Sequence, residues 1–120
     1  MNLILVVEDE EDVSSFLRYV LESDSFNVET ASSIAEAREF LKQRVPDAVL
    51  LDRGLPDGDG LDLCRELKEI DGRRPPVLVL SSRKNEMEVK EGLDAGADDY
   101  IVKPFQFVNV LARVRAQACA

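Results

Sequence analysis

Short apolar runs separated by polar segments recur along the chain and predict buried β-strands. Four such runs occupy residues 3–7, 48–51, 77–80 and, more weakly, 100–102. Phe26 and Val28 instead alternate with polar neighbours, a pattern typical of a strand with only one buried face. We therefore expect five strands, with the second at an edge of the sheet.

The segments between these runs carry the helical period. In the first segment, apolar residues recur at intervals of three and four and form one stripe on a helix. These residues are Val13, Phe16, Leu17, Val20 and Leu21. The second helix is predicted to begin with the capping box Ser33-Ile34-Ala35-Glu36 and to end before Pro46.

Three further helices follow the third, fourth and fifth strands. Leu61, Cys64, Leu67 and Ile70 define the third helix, and this spacing predicts that the Cys64 thiol lies in the core. The fourth helix is weaker, covers about residues 86–95 and ends at Gly96. The last helix is defined by Phe107, Val110, Leu111 and Val114.

Five successive βα units predict a parallel sheet covered by helices on both faces, with right-handed crossovers. With the second strand at an edge, the order 2-1-3-4-5 fits best, which is the flavodoxin-like (βα)5 three-layer sandwich of the α/β class. We expect one domain over residues 1–120, with no effector domain downstream in this chain. Ligands of such sheets bind beyond the carboxyl ends of the strands, between the first and third.

Composition excludes several functions. The 24 acidic and 15 basic residues give a formal charge of −9, so most of the surface repels a nucleic-acid backbone. Because the chain has no histidine, it lacks a Ser/His/Asp triad, a Cys/His dyad and a mixed-ligand zinc site of its own. Cys64 and Cys119 lack a CxxC spacing, and no leader or membrane span is visible, which favours a cytoplasmic protein.

Polar side chains follow four of the predicted strands at their carboxyl ends. They are Glu8 and Asp9, Asp52, Ser81 and Ser82, and Lys103. Carboxylates that meet in one crevice repel one another unless a cation lies among them, and oxygen ligands suit Mg²⁺. A lysine and a hydroxyl beside Mg²⁺ are groups that hold a phosphoryl group during in-line transfer, with a carboxylate as nucleophile. Any one of these residues alone is more often a simple cap, but four strand ends in agreement favour a site.

Four ordered motifs contain these residues. They are residues 3–10 (LILVVEDE), 50–60 (LLDRGLPDGDG), 77–81 (VLVLS) and 96–105 (GADDYIVKPF). Together the motifs resemble the receiver domains of two-component response regulators, and the resemblance extends over essentially the whole chain. Each motif alone is weak, whereas the four in order are specific.

The resemblance implies that Asp52 is the phosphoacceptor, which takes a phosphoryl group from the histidine of a sensor kinase. A histidine supplied by the partner accounts for the absence of one here. Mg²⁺ would be held by the Asp9 and Asp52 carboxylates and the Gly54 carbonyl, with Glu8 acting through a bound water. The aspartyl phosphate would later be hydrolysed, so the domain would assist only its own phosphorylation and dephosphorylation and would not be an enzyme for other substrates.

The same resemblance assigns roles around the phosphoryl group. Lys103 would pair with its oxygens, the Ser81 hydroxyl would donate to one of them, and the backbone N–H of Ser82 would approach another. Tyr100 matches the family's switch aromatic, which moves inward when the hydroxyl is drawn toward the phosphate. A cis peptide bond is implied before Pro104. Phosphorylation would then bias the packing of the fourth and fifth helices and change a binding surface.

The motif at residues 96–100 and the ending LARVR at 111–115 resemble the OmpR/PhoB-like subfamily, in which a winged-helix domain follows the receiver and controls transcription. In that subfamily a homodimer forms through the fourth helix, fifth strand and fifth helix with three reciprocal ion pairs. Two of these pairs can be drawn here, Asp99 with Arg113 and Asp98 with Arg115.

The third ion pair of the subfamily lacks both partners in this sequence. Val89 stands where a basic residue is usual, and Asn109 stands where a glutamate is usual. The order Val89-Lys90 also inverts the common basic-then-apolar order. This inversion leaves three arrangements open for the fourth helix: the helix is rotated, its end is frayed, or it packs on Val89 instead.

Three other functions remain open at this point. A Mg²⁺-dependent aspartyl-phosphate phosphohydrolase usually carries a second aspartate two residues after its nucleophile, where Gly54 stands, and Asp57 and Asp59 are expected in a turn and at a helix start. In a flavodoxin-like cofactor-binding module, the acidic run at residues 8–12 would lie against the cofactor phosphate and repel it. A phosphorylation-independent interaction module would not require the complete set of strand-end residues.

Overall fold

Five parallel strands form the central sheet in a computed structural model, which describes residues 2–70, 72 and 74–119 of the chain. The strands are β1 (Leu3–Val7), β2 (Asn27–Ala31), β3 (Ala48–Asp52), β4 (Val77–Ser81) and β5 (Asp99–Val102). Their order is β2-β1-β3-β4-β5, which confirms the predicted topology. The two ends of the predicted domain, residues 1 and 120, lie outside the described residues.

Helices follow the strands in the predicted alternation. They are α1 (Glu11–Ser23), α2 (Ile34–Gln43), α3 (Gly60–Lys68), α4 (Glu86–Asp94) and α5 (Phe107–Ala118). The Ser33 hydroxyl accepts the Glu36 N–H at 3.1 Å, as a capping box requires, but the Glu36 carboxylate bonds Ser32 rather than Ser33. Half of the predicted capping box is therefore present.

Apolar side chains on alternate strand positions face opposite sides of the sheet, as the period of a strand requires. Leu5 and Val7 pack with α2 and α3 on one side, while Ile4 and Val6 pack with α1 and α5 on the other. Cys64 lies in the first of these cores as predicted, and its burial raises the pKa of the thiol to about 11.

Three apolar residues of the predicted helical stripes are exposed instead of buried: Phe16, Ile70 and Phe107. Ile70 lies beyond the end of α3, where N–H groups bond carbonyls three residues back and tighten the last turn. Tightening of that turn carries Ile70 off the apolar face. Within the described residues, none of the helices is both long and apolar enough to cross a membrane.

A short hairpin that the sequence analysis did not predict connects β3 to α3. Gly54–Leu55 pairs antiparallel with Gly58–Asp59. Immediately after the hairpin, the Gly60 N–H donates to the Arg53 carbonyl at 2.8 Å, and a Cβ at Gly60 would lie 2.3 Å from the Asp52 carbonyl oxygen. Glycine at position 60 thus lets α3 begin against the end of β3.

Candidate functional site

Three carboxylates meet where β1 and β3 end side by side. Glu8 and Asp9 follow β1, Asp52 is the last residue of β3, and one oxygen of each lies within 4.8 Å of the others. Glu8 and Asp52 are buried, whereas Asp9 is exposed. The convergence follows from the topology, because the carboxyl ends of neighbouring parallel strands share one edge of the sheet.

Lys103 is the cation that reaches these carboxylates. Its Nζ lies 3.1 Å from Glu8 Oε1 and 3.4 Å from Asp52 Oδ2. Burial on its own would lower the pKa of Lys103, but the charge of Asp52 and the hydrogen bond to Glu8 outweigh it, so the pKa is raised. Lys103 therefore stays an ammonium ion in this crevice.

The surroundings of Glu8 favour its protonated form. Burial and the adjacent Asp52 carboxyl raise the pKa of Glu8 to about 7. Three carboxylates and one lysine carry two negative charges in excess when all are ionised, and their available ligands are oxygen atoms. This donor set fits a hard divalent cation such as Mg²⁺.

The remaining predicted site residues lie at the same edge of the sheet. Asp52 is in register with Leu80, so Ser81 lies one residue beyond it on the neighbouring strand. The buried Ser81 hydroxyl accepts the Arg83 N–H at 3.0 Å, and Ser82 is exposed. The Lys103 N–H donates to the Ser81 carbonyl at 2.9 Å.

Gly54 and Pro104 flank this edge. Gly54 begins the hairpin, and its N–H donates to Asp52 Oδ1 at 3.2 Å, which fixes the loop next to the carboxylate. The Lys103-Pro104 peptide bond is cis.

Tyr100 lies inside the protein, beneath α4. The residue is 7% exposed, and its hydroxyl donates to the Arg83 carbonyl at 2.7 Å. The ring covers Gly92 so closely that a Cβ there would lie 2.6 Å from Tyr100 Cδ2. The hydrogen bond connects β5 to the loop that also holds the Ser81 hydroxyl.

The residues of the predicted dimer face have partners within one copy of the chain. Arg113 pairs with Asp99 at 2.7 Å, whereas Asp98 accepts the backbone N–H of Val77 at 2.8 Å. Arg115 makes two hydrogen bonds of 2.7 Å to Asp24 at the end of α1.

The inverted pair on α4 takes one of the three arrangements left open. Val89 packs against the core, and Lys90 points outward and pairs with Asp94 at 2.6 Å. The fourth helix is therefore packed on Val89. Asn109 accepts a hydrogen bond from Arg113 at 3.1 Å.

The sequence analysis missed Arg53, which directly follows Asp52. Its side chain is 3% exposed and contacts α4 and the start of α3. Burial opposes the charged form, but the hydrogen bond to Glu91 and the Asp59 carboxylate outweigh it, and the pKa of Arg53 is raised further. The one available signal was a charged residue directly after a buried strand, which does not identify a partner.

Asp57 and Asp59 lie where the sequence analysis expected them. Asp59 caps α3 by accepting the Leu61 N–H at 3.0 Å. Asp57 is in the turn of the hairpin and accepts the N–H groups of Ile34 and Ala35 at the start of α2. Neither carboxylate belongs to the cluster around Asp52.

Comparisons with known proteins agree on one family. The family model described as the response regulator receiver domain matches residues 4–115. The phosphate regulon transcriptional regulatory protein PhoB of Rhizobium meliloti (strain 1021) is 46% identical over 114 residues, which are 94% of this chain and 50% of that protein. This chain thus spans about half the length of the curated relatives it matches.

Solved structures give the same result. The BeF3-activated N-terminal receiver domain of RstA from Klebsiella pneumoniae is 33% identical, with a TM-score of 0.89 over 99% of this chain and 100% of that one. The receiver domain of the sensor histidine kinase PA1611 from Pseudomonas aeruginosa is 27% identical, with a TM-score of 0.89 over 99% of this chain and 98% of that one. The PA1611 structure has a magnesium ion coordinated in its active site cleft.

Proposed function

This chain belongs to the response regulator receiver domain family, and on that premise we propose that Asp52 accepts a phosphoryl group from a sensor histidine kinase. The observation that carries the proposal is the buried Asp52 carboxylate, which lies beside Lys103 and two further carboxylates at the edge of the sheet. The chain would then act as the phosphorylated signalling domain of a two-component system.

In the proposed transfer, an Asp52 carboxylate oxygen attacks the phosphorus of the partner's phosphohistidine. An O–P bond forms, the N–P bond breaks, and its electron pair returns to the imidazole of the partner. Lys103 is the proposed partner of the phosphoryl oxygens, and the distance of 3.4 Å between its Nζ and Asp52 Oδ2 supports this role. Ser81 and the Ser82 N–H are the proposed donors to the other oxygens, and the register of β3 and β4, in which Asp52 pairs with Leu80, supports this assignment.

The acidic cluster supports a role for Mg²⁺. Asp9, Asp52 and the Gly54 carbonyl are the proposed ligands, with Glu8 acting through a water molecule. Bound there, the ion would supply positive charge against the phosphoryl oxygens. Hydrolysis of the aspartyl phosphate by water would return the carboxylate and release inorganic phosphate, which makes the domain a self-limiting signal rather than an enzyme for external substrates.

The Ser81 hydroxyl supports a switch. It accepts the Arg83 N–H and still has its own proton to donate to a phosphoryl oxygen, so a phosphoryl group would favour the arrangement in which the Tyr100 hydroxyl bonds this loop. The proposed output is a changed surface on α4, β5 and α5, which controls transcription as the name of the PhoB relative suggests for that protein. We propose this face, with Asp98, Asp99, Arg113 and Arg115, for a homodimer.

A groove beside the site supports docking of the kinase. Its volume is about 560 Å³, and it lies between α1 and the segment after β5, where Val13, Phe16, Pro104 and Phe105 form an apolar wall next to Lys103. An apolar helix face of the kinase would bury these side chains and bring its phosphohistidine to Asp52. We place this exchange in the cytoplasm, with no direct contact to nucleic acid or membrane by this domain.

Labelling with acetyl phosphate tests the proposal. The unaltered chain should incorporate one phosphoryl group in the presence of Mg²⁺, and Asp52→Ala should incorporate none. Asp62→Ala, which removes an exposed carboxylate on α3, is the matched control and should be labelled normally. Retained labelling of the Asp52 variant would overturn the assignment, and repeated turnover of phosphomonoesters by the unaltered chain would favour a phosphohydrolase instead.

A further inference from the structure

Arg53 is the one fully buried cation among the residues that the structure describes. Its Nη2 lies 2.5 Å from Glu91 Oε1, and its Nη1 donates to the Glu88 carbonyl at 3.2 Å. Both of these partners belong to α4. Its Nε lies 3.2 Å from Asp59 Oδ2, on the residue that caps α3. A single side chain thus joins the phosphoacceptor segment to two helices.

The backbone of Arg53 is held as firmly as its side chain. Its N–H donates to the Leu80 carbonyl at 3.0 Å, and its carbonyl accepts the Gly60 N–H at 2.8 Å. The guanidinium therefore projects from a fixed point one residue from the Asp52 carboxylate. A displacement of α4 would break the Arg53 contacts unless the end of β3 moved with the helix.

The α4 helix has few apolar contacts to replace this attachment. Val89 packs on the core and Gly92 lies under the Tyr100 ring, but Met87 and Leu93 are 74% and 48% exposed. The Glu91 carboxylate is 55% exposed, whereas the Arg53 guanidinium is buried, so loss of Glu91 would leave a desolvated charge with Asp59 as its remaining carboxylate partner. The Arg53 contacts therefore contribute a large part of what keeps α4 in place.

The position of α4 is transmitted to the Ser81 side of the site. The Tyr100 ring packs directly against Gly92 of α4, and the Tyr100 hydroxyl donates to the Arg83 carbonyl. The Arg83 N–H in turn donates to the Ser81 hydroxyl. When α4 is held, this loop is held as well. A phosphoryl group then binds to an arrangement that is already ordered and loses less conformational entropy on binding.

We propose that Arg53 is a positioning residue which, through Glu91, fastens α4 to the phosphoacceptor segment and thereby sets the affinity of the site for a phosphoryl group. The inference rests on the proposed function of Asp52. It predicts that a surface carboxylate on α4, outside the carboxylate cluster, controls binding at Asp52.

Beryllofluoride, an analogue of the phosphoryl group, provides the measurement. Its affinity in saturating Mg²⁺ is titrated by 19F NMR for the unaltered chain, for Glu91→Gln and for Glu86→Gln. Both variants remove one negative charge from α4, which by itself favours an anion slightly. We expect Glu91→Gln to bind about fivefold more weakly, equal to about 1 kcal/mol, and Glu86→Gln to bind at least as tightly as the unaltered chain.

Two further readouts separate positioning from general stability. Arg53→Lys keeps the charge but loses the branched guanidinium group, whose separate nitrogens contact α4 and Asp59 at the same time. This variant should therefore also weaken beryllofluoride binding. Glu91→Asp should restore part of the affinity. The Mg²⁺ affinity of Glu91→Gln in the absence of beryllofluoride should stay unchanged, because the proposed metal ligands do not include α4.

The outcomes separate the two proposals. Equal beryllofluoride affinities for Glu91→Gln and Glu86→Gln would refute the role of Arg53 and leave the function of Asp52 intact. Parallel losses of Mg²⁺ and beryllofluoride affinity would also refute it, since they indicate general loosening of the fold. Failure of the unaltered chain to bind beryllofluoride would refute the proposed function itself, and with it the role of Arg53.

Discussion

Substitution of Gly92 by alanine should destabilise the protein although alanine is the better helix former. A Cβ at position 92 would lie 2.6 Å from Tyr100 Cδ2 and 2.7 Å from Tyr100 Cε2. Relaxed carbon contacts begin near about 3.5 Å, so the ring has to move by roughly 1 Å or leave its site. The Tyr100 hydroxyl is anchored on the Arg83 carbonyl, so the ring cannot slide without losing that bond.

The size of the stability change follows from two destabilising effects and one stabilising effect. Loss of the hydrogen bond costs about 1 kcal/mol, and partial exposure of the tyrosine ring costs about 2 kcal/mol. Replacing glycine with alanine inside a helix returns about 1 kcal/mol. We expect Gly92→Ala to lower the free energy of unfolding by about 2 kcal/mol, which corresponds to a melting temperature lower by roughly 8 °C for a domain of this size.

Urea denaturation followed by circular dichroism measures this change, because the chain has no tryptophan. In a Tyr100→Ala background the same substitution should instead stabilise by about 1 kcal/mol. Incorporation of 3-fluorotyrosine reports the ring position, with Tyr19, which is 72% exposed, as the solvent reference. A single Gly92→Ala variant that is more stable than the unaltered chain, with the Tyr100 signal unmoved, would refute the reasoning.

Two further predictions concern the neighbourhood of Asp52. The pKa of Glu8 is raised to about 7 in the folded chain, so its stabilising effect is complete below its ordinary pKa of 4.5 and is lost as pH rises through 7. In EDTA, urea denaturation from pH 5 to 8 should show a loss of roughly 1–3 kcal/mol that Glu8→Gln abolishes. Gly60→Ala would place its Cβ 2.3 Å from the Asp52 carbonyl oxygen, a backbone atom that cannot rotate away. That variant should lose at least about 2 kcal/mol of stability and bind beryllofluoride weakly, and a calorimetric melt with unchanged temperature would contradict this.

The sheet and the carboxylate cluster were predictable because both follow from short-range patterns. An apolar run such as residues 48–51 identifies a buried strand without knowledge of its neighbours, and parallel topology then brings the residues after β1 and β3 to one edge. Glu8, Asp9 and Asp52 converge for this reason alone. The point at which each apolar run ends therefore predicted the position of the site.

The contacts of Arg53 could not be predicted in this way. Its partner Glu91 lies 38 residues further along the chain, and no periodicity connects the two. The packing of the Tyr100 ring against Gly92 could not be predicted from the sequence either. A glycine within a weak helical pattern normally indicates only a helix of low stability. Both contacts depend on how α4 is rotated, which the pattern of α4 did not determine.

The same ambiguity bears on the proposed response of α4 to phosphorylation. A helix with a continuous apolar stripe has its rotation fixed by burial, as α1 has through Leu17, Val20 and Leu21. On α4 the exposed Met87 and Leu93 show that burial contributes little, so polar contacts and the Gly92 surface determine its place. Such contacts have discrete partners, and elements of low local stability are those that move during switching. The weak apolar pattern of α4 is therefore consistent with the proposed change of its position on phosphorylation.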